Sequence, residues 1–158
     1  MPPLGRCPAG GADVPKLAEA LGLSASEVHS AVKRTALCGL VDGETRTVRK
    51  EAFLEFLVHG LRYVFPAEWR GVTRGLPTSF AAPPLAAEFA AGDLPPVWPH
   101  PEGTARGEGL APLYKSAPNA ALRDPQLYEW LALVDALRGG RARERRLAVN
   151  RIEKKLSG

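Results

Sequence analysis

The chain has 158 residues, 45% of them hydrophobic and 24% charged, a composition that excludes a disordered or fibrous polymer and allows one globular unit with a real core. Its net charge of +4 suits a polyanionic partner without requiring one. No apolar run approaches the roughly 20 residues of a membrane helix, and the N-terminus lacks a charged-then-apolar signal pattern. Cys7 and Cys38 lie far apart without metal-ligand spacing, which fits a reduced, cytoplasmic setting better than a disulfide framework.

Residues 1–13, MPPLGRCPAGGAD, are too rich in proline and glycine for a helix and are read as a flexible N-terminus. From Val14 to Leu40 the pattern becomes that of two helices joined by a tight turn. Leu17, Ala18 and Leu21 recur at helical spacing, Gly22-Leu23-Ser24 interrupts them, and Val28, Ala31, Val32 and Thr35 resume on one face. Pro15 suits a first helical turn, and Gly22 suits a left-handed C-terminal cap. Ser24 and Glu27 have the S-x-x-E spacing of a capping box at the start of the second helix.

On these residues the stretch resembles the helix-turn-helix of bacterial transcription regulators. Ala18 stands where that motif wants a small residue at the helix crossing, Gly22 in its turn, and Val28 facing inward early in the second helix. The A-L-x-x-G-L-V ending at Ala36–Val41 is similar to the exit of the recognition helix in winged-helix proteins, giving a MarR-like head over about a third of the chain. The resemblance implies that the second helix enters the major groove with its N-terminal half. The positions carried over are Ser24, Ala25, Ser26, His29, Ser30 and Lys33, with Arg34 reaching phosphate or guanine. Serines and the histidine exchange hydrogen bonds with base edges, and Ala25 meets a thymine methyl.

Leu40-Val41 and Thr45–Val48 flank an Asp42-Gly43 turn signal and read as a small hairpin wing, with an ordinary loop as the alternative. Arg46 and Arg49 would lie beside the phosphate backbone. Lys50–Phe65 reads as a helix with Phe53, Leu54, Leu57, Leu61 and Val64 on one face, placed to cover the helix-turn-helix from behind. Its aromatics Phe53, Phe56, Tyr63 and Phe65 are expected in the core rather than as a base-stacking platform. The DNA-binding unit is therefore set at 14–65.

Residues 66–123 are rich in proline and glycine, which argues against long regular elements. Trp69, Phe80, Phe89, Trp98 and Tyr114 argue equally against disorder. An ordered extended segment is expected, with short helical turns near Leu85–Ala91 and Ala117–Leu122. Residues 124–158 form a helical segment. Asp124 caps a helix whose Leu127, Tyr128, Leu131, Val134 and Leu137 face inward, and Gly139-Gly140 ends it. A final helix, Ala142–Leu156, follows, in a run with seven basic against two acidic residues. That run reads either as a second phosphate-contacting surface or as a solvated or dimer-flanking helix.

No H-E-x-x-H, C-x-x-C, G-x-S-x-G or Walker pattern appears, so no enzyme, cofactor or metal is expected. The expectation is a mainly α protein. It has a helix-turn-helix or winged-helix N-terminal unit with a small β-hairpin, a proline-rich extended middle and two C-terminal helices. It would bind duplex DNA as a homodimer on a two-fold operator and regulate transcription, as a repressor. The alternative is a protein-interaction module, antitoxin-like or an adaptor subunit, using the helical hairpin and the proline-rich segment to hold a partner protein. RNA binding has only the basic last helix behind it. Two helices cannot bury a core alone, so a later helix, a partner chain or a segment upstream of the start must complete the head.

Overall fold

The computed structural model describes residues 13–90 and 92–158, so the reading of residues 1–12 lies outside the described residues. Helix α1 spans Val14–Leu21 and α2 spans Ala25–Leu37. A helical rod over residues 50–64 comes after them, made of α3 (Lys50–Glu55), a π-helical turn (Phe56–Gly60) and α4 (Leu61–Val64). Three strands come next: β1 (Trp69–Pro77), β2 (Pro96–Pro99) and β3 (Ala105–Leu110). Helices α5 (Ala117–Arg123), α6 (Pro125–Gly139) and α7 (Ala142–Ser157) close the chain.

The fold is thus mixed α/β, 55% helical, rather than mainly α, because the proline-rich middle builds a sheet. Each strand pairs with the other two: β1 runs antiparallel to both β2 and β3, and β2 runs parallel to β3. The prolines do not prevent this, since Pro77, Pro96 and Pro99 sit at strand ends, where a missing N–H costs the ladder little. Closure of so small a sheet also needs close backbone approach. A Cβ on Gly75 would lie 2.0 Å from the Trp98 carbonyl oxygen, and one on Gly107 would lie 1.9 Å from that of Pro95. The expected turns near 85–91 and 117–122 are present as a 3-10 turn at Ala86–Glu88 and as α5.

Helix α6 is the centre. Asp124 accepts from the Gln126 and Leu127 amides at 2.9 and 3.2 Å, starting the helix as expected. Every residue from 131 to 138 is buried, so the helix is covered on all sides. On one side Leu133, Val134 and Leu137 pack with Leu57 and Leu61 of the rod, Leu85, and Ala148 and Ile152 of α7. On another, Leu131 packs with Leu76, Trp98, Ala117 and Ala121.

A buried polar knot ties these layers together. Asp135 accepts from Thr78 Oγ1 at 2.7 Å, from Trp98 Nε1 at 2.6 Å and from Arg138 Nη1 at 3.0 Å. The Arg138 guanidinium also donates to the carbonyls of Phe65, Pro66 and Ala111, so one ion pair joins α6, the sheet and the end of the rod. Paired and hydrogen-bonded charge of this kind is the form in which burial is tolerated.

Two expectations for residues 50–65 are corrected. The rod packs on α6 and α7, and neither apolar cluster includes a residue of α1 or α2. Its π turn also adds a residue to one turn and rotates the later residues about the helix axis. Leu61 stays buried, but Val64, Tyr63 and Phe65 stand 59%, 76% and 44% exposed instead of joining the core. The N-terminal helices are braced instead by α5 and the residue before it. Ser116 Oγ donates to the Leu21 carbonyl at 2.7 Å and Arg123 Nη2 donates to that of Ala20 at 3.4 Å, satisfying the free end of α1.

Candidate nucleic-acid interface

The helical hairpin is fixed at each end by local chemistry. Gly22 takes φ 65°, and its amide and that of Leu23 bond the carbonyls of Glu19 and Ala18, which is the Schellman closure of α1. Ser24 then starts α2. Its hydroxyl accepts from the Glu27 amide at 3.2 Å, while the Glu27 carboxylate accepts from the Ser24 amide at 2.8 Å and from its hydroxyl at 2.7 Å. Those bonds hold the Glu27 carboxyl below its ordinary pKa, the backbone amide contributing most. Gly39, at φ 75°, repeats the Schellman closure at the other end of α2. Ala18 and Val28 are the buried contacts of the hairpin, as the spacing predicts.

The face of α2 turned outward carries the predicted residues. Ala25, Ser26, His29, Lys33 and Arg34 are exposed and Ser30 is half-buried. Residues 25, 29 and 33 form one i, i+4 row, with 26 and 30 beside it. Ser24 differs, because its hydroxyl serves the cap and is engaged there.

The expected wing is reduced to a single antiparallel bridge, Val41 with Val48, around a tight loop. Asp42, the first residue of the expected turn signal, organises that loop through bonds that the signal did not specify. Its Oδ1 accepts from the Glu44 amide at 3.0 Å, the Thr45 amide at 2.8 Å and the Thr45 hydroxyl at 2.9 Å. Donation from Thr45, backbone first and hydroxyl second, lowers the Asp42 carboxyl to about 2. The D-x-x-T spacing was the available signal, since aspartate caps turns by bonding amides two and three residues on. Turn formation here uses Arg46 at φ 55°. Arg49 is drawn to Asp42 at 3.5 Å, beside the loop rather than away from it.

Between α2 and this loop lies an open cleft of about 360 Å³ lined by His29, Val32, Lys33, Ala36, Leu37, Asp42, Gly43, Arg46 and Val14. The structure therefore brings His29, Lys33 and Arg46 to one cleft and leaves Ala25, Ser26 and Ser30 along the helix leading to it. The basic C-terminal helix is different. Arg151 pairs with Glu88, Lys155 with Glu129, Arg143 stacks on Phe89, and Arg145 donates to the Gly140 carbonyl, so four of its seven cations hold the fold together.

Among the described residues no group of three or more His, Cys, Asp or Glu side chains is placed to hold a metal ion, and no helix is long and apolar enough to cross a membrane. Comparison with protein-family models, curated proteins and solved structures finds no match to the chain.

Proposed function

We propose that the α1–Gly22–α2 unit binds duplex DNA through the outward face of α2 and that the protein is a cytoplasmic transcriptional regulator acting as a repressor. The observation that carries this reading is the geometry of α2. A helix capped at both ends presents small and hydrogen-bonding side chains along its first two turns, and His29, Lys33 and Arg46 meet in one cleft. Ser26, Ser30 and His29 are of the size and chemistry that exchange hydrogen bonds with base edges, and Lys33, Arg34 and Arg46 supply phosphate contacts. Replacing Ser26, Ser30 and Lys33 together by alanine is the test, with affinity for duplex DNA from the region upstream of the coding sequence as the readout. At about 1–3 kcal/mol per specific contact, the loss should exceed tenfold; unchanged affinity would end the proposal.

A protein-interaction module is the second reading, and one observation favours it. The same cleft has an apolar side of Val14, Val32, Ala36 and Leu37, and Leu37 is 80% exposed. A stoichiometric protein partner released by Leu37→Glu, with no DNA retained, would support it over the first.

A further inference from the structure

A second cleft, of about 620 Å³, shares no lining residue with the one beside α2. The end of the rod, the start of β1, the end of β2, the segment after β3 and the start of α5 all contribute to it. Its size falls within the roughly 300–1,000 Å³ of small-molecule sites. Its walls are tied to one another. The Ala111 amide donates to the Glu68 carbonyl at 2.9 Å, and Arg138 donates to the carbonyls of Phe65, Pro66 and Ala111. His100, just after β2, reaches α5, with its Nε2 2.8 Å from Asn119 Oδ1. None of these bonds depends on a ligand, so the cleft is preformed.

The groups left over in the lining define the chemistry it suits. The Glu102 amide donates to His100 Nδ1 at 3.2 Å, so the ring proton is on Nε2 and that nitrogen is the donor to Asn119. Asn119 is thereby fixed with its carbonyl toward the histidine, and its side-chain NH2 has no acceptor among the described residues. Lys115, four residues before it, is exposed and has no ion-pair or hydrogen-bond partner among the described residues. Arg70 has only a 3.9 Å approach to Glu68, and Arg138 is already matched by Asp135. Two cations, Lys115 and Arg70, therefore stand against one carboxylate, Glu68. Much of the remaining lining carries rings, from Phe65, Pro66, Pro99, Pro112 and Tyr114, and Phe65 is 44% exposed. The Tyr114 hydroxyl is buried without a hydrogen-bond partner among the described residues, an orphan of the kind that functional sites retain. Apolar walls with a few unmatched polar groups are the make-up of a small-molecule site.

We propose that this cleft binds a small amphipathic organic anion. Lys115 and the Asn119 NH2 hold its acidic head, in the positive field of Arg70, and its ring-sized apolar body lies against Phe65 and the prolines. The site lies outside α1 and α2 and holds whether or not α2 reads DNA.

Anilinonaphthalene sulfonate, whose fluorescence rises on leaving water, is the probe. Uncharged phenylnaphthylamine supplies the same body without the acidic head. Titrated into the folded full chain, the sulfonate should bind saturably, one per chain, in the micromolar range. Lys115→Glu should weaken it roughly tenfold or more and leave phenylnaphthylamine within about twofold, since a surface attraction becomes a repulsion for the charged probe alone. Asn119→Asp, which keeps an acceptor for His100 while a carboxylate oxygen replaces the NH2, should do the same. Phe65→Ala, which keeps the carbonyl that Arg138 uses, should weaken both probes. Circular dichroism on each variant confirms that the fold is intact. No saturable binding of the sulfonate overturns the inference. So does binding that Lys115→Glu and Asn119→Asp leave unchanged, or a loss in those variants that both probes share.

Discussion

Asp135 shows how much one buried side chain can hold. Burial pushes its carboxyl from the ordinary 3.8 up to about 6, while Arg138, Thr78 and Trp98 pull the other way. A raised carboxyl pKa means that the native state keeps the proton more tightly than the unfolded chain does. The stabilisation from this group is therefore full below about pH 4 and is lost as the pH rises to about 6. At pH 7, where the carboxyl is ionised, Asp135→Asn leaves Arg138 buried without its countercharge and should destabilise by about 3–5 kcal/mol. The gap between wild type and variant, read as urea midpoints, should narrow as the pH rises from 4 to 7. A gap that widens would mean that the Arg138 attraction outweighs burial. Gly22 is the other single residue with wide consequence. At φ 65° an alanine is strained by about 1–2 kcal/mol, and its Cβ would sit 3.2 Å from that of Ser116. Thermal melting of Gly22→Ala should show that loss, and an unchanged melting temperature would deny both the strain and the contact.

At the scale of elements, the helices were legible because their ends are written locally. Pro15, Gly22, Ser24, Glu27 and Asp124 each act within four residues of themselves, so spacing alone placed α1, α2 and α6 to within a residue or two. The sheet was not legible in the same way. Its strands are set by pairing between residues 12 to 41 positions apart, and prolines at strand ends look like prolines in loops until the partner strand is known. The rod's burial was misjudged for a related reason, since no periodicity announces a π turn. Attachment of the head rests on Ser116 and Arg123, which reach back about 100 residues to α1. Replacing both by alanine should raise amide exchange in α1 and α2 while leaving α6 protected. Equal exchange before and after would show that these bonds do not hold the head.

Taken whole, the molecule is a central helix wrapped by the rod, α7 and a three-stranded sheet, with a capped helical hairpin fastened to α5. The face of α2 was readable in advance because helical spacing fixes which residues share a side. The cleft it shares with Arg46 was not, since that depends on how Asp42 folds the loop. The first measurement is binding of the purified protein to duplex DNA from upstream of its coding sequence and to a scrambled duplex, each at two salt concentrations. Tighter binding to the upstream DNA is predicted, falling with salt at a slope of about 0.9 per phosphate neutralised. Equal weak binding to both duplexes, or none at low salt, would contradict the claim that α2 reads DNA sequence.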